Sequence, residues 1–259
     1  MKWNGAHCCA PLLAGASRVV QQFTDINTWF GYDPRSGVRV APAEVKRAGA
    51  RWGVERAYAF SLSAALYDAR HGNAQTLALC ERDGFFRPVA VLSPLAEPPE
   101  EPVAWVKEHG FAFVRIFPDM HGFVVDGPAC RNLLEACSAA GLPVMVSAMA
   151  AGPANLWRGL DGLEGVFIIT DNRYGVLGEV LALAGRRPGV CVDVGSVNTP
   201  DGIVRLAEAF GVEQLLWGSG YPGLAVGCGA MLLQHSGLPP EQIELIAHGN
   251  AGRLLEGPR

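Results

Sequence analysis

Lysine is nearly missing from this chain: Lys2, Lys46 and Lys107 are all it has in 259 residues. With 21 basic against 25 acidic side chains the formal net charge is −4, and no stretch gathers the basic stripe that a nucleic-acid backbone requires. Apolar runs are all well short of the ~20 residues of a membrane helix, which excludes a spanning segment as the sequence stands. The seven cysteines, Cys8, Cys9, Cys80, Cys130, Cys137, Cys191 and Cys228, form no CxxC pair. An odd, scattered set in a chain this long is neither a zinc ribbon nor a disulfide framework, and predicts reduced thiols in the cytoplasm. Nucleotide and nucleophile signatures are missing too. GYDPRSG lacks the GxGxxG spacing, and no GxSxG elbow occurs. No cofactor is expected.

What is present is a long apolar chain, 49% hydrophobic, enough for one large core. The opening MKWNGAHCCAPLLAGAS imitates a signal peptide, but His7 and Pro11 break its apolar patch. We read residues 1–20 as a leader segment and 21–259 as a single domain. Within it, runs rich in Val, Ile, Phe and Leu alternate with amphipathic stretches. Eight candidate strands lie near QQFTDINTW, RAYAFSL, FRPVAVL, AFVRIF, LPVMVSA, GVFIITD, VCVDVGS and QLLWGS. Helices are predicted between them, several closing on a glycine (Gly110, Gly141, Gly211, Gly237). Eight strand–helix pairs in this length predict an α/β fold, a single (β/α)8 TIM barrel.

Function in such a barrel sits where strands end at the C-terminal face. The polar and aromatic residues there are Asn27 and Trp29, Ser61 and Ser63, Ser93, Arg115, Asp119 and His121, then Ser147. Asp171, Asn172, Arg173, Asp193, Ser196, Ser219 and Tyr221 complete the set.

Five stretches carry a family resemblance: FTDINTWFG, SLSAALYDARHGNAQ, FVRIFPDMHGF, LLEACSAAGLPVMV, and the closing FGVEQLLWGSGYP with AHGNAGRLL. From about Phe23 to Leu255 the chain resembles the amidohydrolase superfamily, in its amidohydrolase-related branch of hydrolases and metal-dependent decarboxylases. The resemblance implies the barrel. It also implies a metal centre made by two strand-one histidines, one histidine each from strands five and six, and a strand-eight aspartate. Here those positions carry Asn27, Trp29, Ser147, Asp171 and Gly220. Asn is a feeble ligand, Trp and Gly offer no donor, and Ser rarely binds a metal that is not already held. No metal is therefore expected.

A magnitude shows the chemical consequence. Zinc can lower the pKa of a bound water from roughly 15.7 to roughly 7, on the order of 12 kcal/mol at about 1.36 kcal/mol per unit. A positioned side-chain base gives ~10²–10⁴-fold, about 3–5 kcal/mol. Hydrolysis of an unactivated amide is thus not expected. The reading is a barrel that has lost its metal centre and binds a small anion such as a carboxylate, or serves as a non-catalytic partner subunit. The alternative is a metal-independent hydrolase, lyase (decarboxylase) or isomerase. His121, Asp119 and Asp171 are the candidate acid–base groups. Asn27, Trp29, Arg115, Ser147, Asn172, Arg173 and Tyr221 are the candidate ligand-binding residues, with either arginine able to clamp a carboxylate. A homo-oligomer, or pairing with a related subunit, is expected. Asp193 and Cys191 are read as structural.

Overall fold

The computed structural model describes residues 22–94, 98–183 and 189–255; the leader assigned to residues 1–20 lies outside them. Nine strands make one sheet: β1 (Phe23–Asp33), β2 (Val38–Val40), β3 (Val54–Ser61), β4 (Phe86–Val91) and β5 (Phe113–Arg115), then β6 (Val144–Ser147), β7 (Phe167–Thr170), β8 (Val190–Asp193) and β9 (Leu215–Leu216). Their order is β2-β1-β3-β4-β5-β6-β7-β8-β9. Apart from the antiparallel β1–β2 pair, every pairing is parallel, as helical crossovers dictate. The two ends of the sheet meet: Ile26 N–H donates to the Trp217 carbonyl (3.2 Å) and Gly220 N–H to the Asn27 carbonyl (2.9 Å). Closure of eight parallel strands gives the TIM barrel that the alternation of elements predicts.

Two-residue periodicity sorts the side chains. Val89, Val91, Phe113, Met145, Ile168, Cys191 and Leu216 form the inner cluster with Ile26, Tyr58 and Phe60. Their neighbours Ala90, Val114, Val144, Val146, Ile169, Val192 and Leu215 face the helices. Continuing inward steps toward the C-terminal ends then reach Arg115, Ser147, Thr170 and Asp193. The apolar plug therefore stops where polar side chains begin, and that boundary is the floor of the barrel mouth.

The helices form where capping and packing direct them. Asp68 accepts from His71 N–H at the start of the helix Ala69–Arg82. Gly110, Gly141, Gly211 and Gly237 all take positive φ, as their helix-ending positions require. The first strand does not stop with the apolar run QQFTDINTW: it continues through Gly31 to Asp33 and folds back as β2, with Asp33 accepting from Arg35 N–H (2.9 Å) and Nε (3.0 Å) in the turn. Gly31, at φ +120, takes a conformation that side chains disfavour, and so lets β1 run on past Leu62 rather than ending it.

Candidate active site

At the floor of the mouth a buried cation is held among side chains from several strands. Arg115, the last residue of β5, is buried, and its guanidinium lies 5.3 Å from the Phe60 ring and 5.0 Å from the Phe117 ring. Nη1 donates to Asn27 Oδ1 and approaches Met145 Sδ at 3.6 Å. Asn27 in turn donates from Nδ2 to Asp193 Oδ2 at 3.1 Å. Asn27 reaches the axis because the β1–β3 register slips between Asp25 and Thr28, turning it inward directly after the inward Ile26. Asp193 Oδ1 accepts from Gly195 N–H and Gly218 N–H, both at 2.9 Å. Gly218 has to be glycine here. A Cβ there would lie 2.5 Å from Asn27 Cβ and 2.9 Å from Asp193 Oδ2.

The charges are strongly coupled. Burial pulls the Arg115 pKa down, while Asp171, Asp193 and Asp119 oppose that loss. Burial pushes Asp193 up to about 7, against the donors from Gly195, Asn27 and Gly218, with Asp171 adding to the rise. Asp25 is also raised by burial, held back by Ser219 Oγ (2.5 Å), Ser219 N–H (2.8 Å) and Asn27 N–H (3.0 Å). Asp25 was not among the residues read from sequence, and Asp193 was placed at a strand end but read as structural. The signal was present, since both are acids inside apolar strand runs, FTDI and CVDV.

The other candidates occupy distinct places. Asp171, half-buried, sits at φ +56, a left-handed conformation that few residues but Asn and Asp tolerate. Asn172 is buried and bridges the ends of β7 and β8, donating to the Ile169 carbonyl (2.8 Å) and the Asp193 carbonyl (2.9 Å). Trp29 packs on the inner cluster, and its backbone N–H donates to the Tyr221 carbonyl (3.2 Å). Tyr221 N–H donates to Ser219 Oγ (3.0 Å), joining the final loop to the Asp25 contact. Arg173 and Asp119 are exposed on the rim.

Two hydroxyl- or imidazole-bearing candidates are engaged by backbone. Ser147 Oγ accepts from Ala150 N–H at 3.2 Å, capping the turn Ala148–Ala151. His121 Nε2 lies 2.8 Å from the Ala65 carbonyl, an acceptor that requires the Nε2–H tautomer. That leaves Nδ1 buried without a partner. No hydrogen bond joins His121 to Asp119 among the described residues, and Pro118–His121 is a single helical turn. Two residues along a helix diverge by roughly 200°, which separates that pair. Ser93 lines a different space, a cavity of about 410 Å³ off the axis between the helices Ala69–Arg82 and Glu100–Glu108.

The sequence matches the amidohydrolase family over residues 21–257. The chain belongs to that family. Among solved structures, this amidohydrolase-family protein is similar to 2,6-dihydroxybenzoate decarboxylase from Rhizobium (TM-score 0.73, 13% identity, 91% of this chain and 99% of that one). It is similar also to an uncharacterised TIM-barrel protein of Bordetella bronchiseptica (0.73, 19%, 91% and 98%). A third is the dihydroxybenzoic acid decarboxylase of Polaromonas sp. JS666 with bound manganese and 2-nitroresorcinol (0.73, 13%, 91% and 97%). At such identities the likeness carries the fold alone. No match was found among curated proteins. No helix among the described residues is long and apolar enough to cross a membrane.

A divalent ion fits this mouth poorly. Of the five positions that the resemblance assigns to the metal, Asn27, Ser147 and Asp171 carry side-chain oxygen, and Asn27 Oδ1 already accepts from Arg115. Ser147 caps a turn. At Gly220, φ is +68 and a Cβ would meet Leu224 Cδ1 at 3.4 Å. Among the described residues no three His, Cys, Asp or Glu side chains are grouped to hold an ion.

Proposed function

We propose that this amidohydrolase-family barrel binds a small carboxylate at its C-terminal mouth without a metal ion and does not hydrolyse amides. The observation that carries the reading is Arg115: a buried guanidinium, flanked by two ring faces, whose described hydrogen bonds all fall on Nη1. A guanidinium has five N–H donors, so Nε and Nη2 remain to grip a carboxylate as a fork. Phe60 and Phe117 would lie along a flat acyl or aryl group, and Arg173 on the rim would meet a second negative charge. The neighbours named for acids, 2,6-dihydroxybenzoate and dihydroxybenzoic acid decarboxylases, agree with a carboxylate as ligand class.

A second reading is favoured by one feature: a buried carboxyl, Asp193, that burial pushes up to about 7, with the left-handed Asp171 adding to the rise. Such a group can take up and release a proton at working pH, as a metal-independent lyase or isomerase requires.

Calorimetric titration with aromatic mono- and dicarboxylates distinguishes these. Saturable binding is expected, weakened more than about tenfold by Arg115→Met if a charge-assisted pair of ~1.5–3 kcal/mol is removed. Equal affinity in both proteins would refute the clamp. The same mixtures held in D2O and followed by NMR should show no loss of CO2 and no deuterium uptake. Either signal would establish the second reading.

A further inference from the structure

We infer that the Arg115 guanidinium stands in this barrel where metal-holding relatives keep a divalent cation, so that one side chain both supplies the positive charge of the mouth and bars an ion from it. The inference rests on the proposed metal-free reading and names the group responsible. Its first support is contact. Nη1 donates to Asn27, a position that the resemblance assigns to a metal ligand, and Asp171, another such position, is the leading charge that favours the ionised guanidinium. Its second support is enclosure. Phe60, Phe117 and Met145 pack around the guanidinium, while Asn27 links it to the buried Asp193.

Charge balance explains why such a replacement holds. Asp171 and Asp193 converge on this floor from β7 and β8, Asp25 lies one hydrogen bond from Asn27, and Asp119 adds charge from the rim. Buried carboxylates without a counter-cation are driven to protonate, and an ion or a guanidinium relieves them equally in sign. The two differ in what they do to water. A protein-bound zinc ion can ionise a bound water near neutral pH, whereas a guanidinium has no open coordination position and cannot. Losing the metal and keeping the charge preserves anion binding while removing the hydroxide nucleophile. Arg115 lies on β5, outside the five positions, which is why matching ligands alone does not reveal it.

The test is reconstruction. Asn27→His, Trp29→His and Ser147→His together return three nitrogen donors beside Asp171. This set is made with Arg115 intact and with Arg115→Met, and each protein is incubated with zinc, desalted and analysed for metal. The expected result is about one zinc per chain with Arg115→Met, and less than a tenth of that with Arg115 kept. Zinc bound equally in both, or in neither, overturns the inference. Thermal melts report whether each variant folds. Should the combined variant not fold, Asn27→His with Ser147→His, made with Arg115 intact and with Arg115→Met, decides instead by the same metal analysis. Equal zinc in the two proteins overturns it. Carboxylate titration of the parent protein is a separate readout, so failure of the anion-binding reading leaves these outcomes unaffected.

Discussion

The carboxyl of Asp193 ties two strand ends together, accepting from Gly195 N–H just past β8 and from Gly218 N–H just past β9. The same carboxyl also holds Asn27 against Arg115. Because burial raises its folded pKa to about 7 from an unfolded value near 3.8, the folded state keeps a proton that the unfolded state has lost across that window. Stability from this group is therefore fully present at low pH and drains away as pH climbs from about 4 to 7. Asp193→Asn cannot lose a proton. Its melting temperature minus that of the parent should rise through that interval, whatever the constant offset from placing an amide opposite Asn27. A flat difference would mean that Asp193 is already ionised when buried. Sequence could name Arg115 and Asn27 separately as candidates. It could not join them, because the link depends on a register slip in β1 that no periodicity predicts.

Elements were more legible. All eight barrel strands fall where the apolar runs lie, since a strand buried on both faces has to be nearly continuous in hydrophobic residues. The β2 hairpin was not foreseen, because Val38–Val40 is three residues long and partly exposed. How helices attach to the barrel also follows from side chains that composition does not flag. Asn73, buried in the helix Ala69–Arg82, accepts from Val91 N–H (2.8 Å) and donates to the Val91 carbonyl (3.0 Å), acting as a strand neighbour to the end of β4. Gly72 beside it permits the contact, since a Cβ there would lie 2.1 Å from Ala64 N. Asn73→Ala strands two buried backbone groups and should lower unfolding free energy by about 2–4 kcal/mol in urea titrations. Lys46→Ala, which breaks the partly exposed 2.8 Å bridge to Asp83, should change it by less than about 1 kcal/mol. Comparable losses in the two would show that the helix is held by its apolar face alone.

Seen as a whole, the molecule keeps the scaffold of its family, and the proposed metal-free mouth is carried by a handful of residues at strand ends. The barrel is specified redundantly, by eight strand–helix pairs and a large apolar interior, and so tolerates exchange at the few positions where strands end. Those exchanges are mutually consistent. Trp29 packs down on the inner cluster, Gly220 takes a backbone shape aimed at Leu224, Ser147 caps a turn, and Asn27 turns its oxygen to a guanidinium. Each of these residues has a definite partner or place in the barrel. Metal content of the unaltered chain tests this most directly. After incubation with zinc or manganese and removal of free ion, the account predicts well under one tenth of an equivalent bound and no shift in melting temperature on adding chelator. One equivalent held per chain, with a melting temperature that falls when it is stripped, would contradict it.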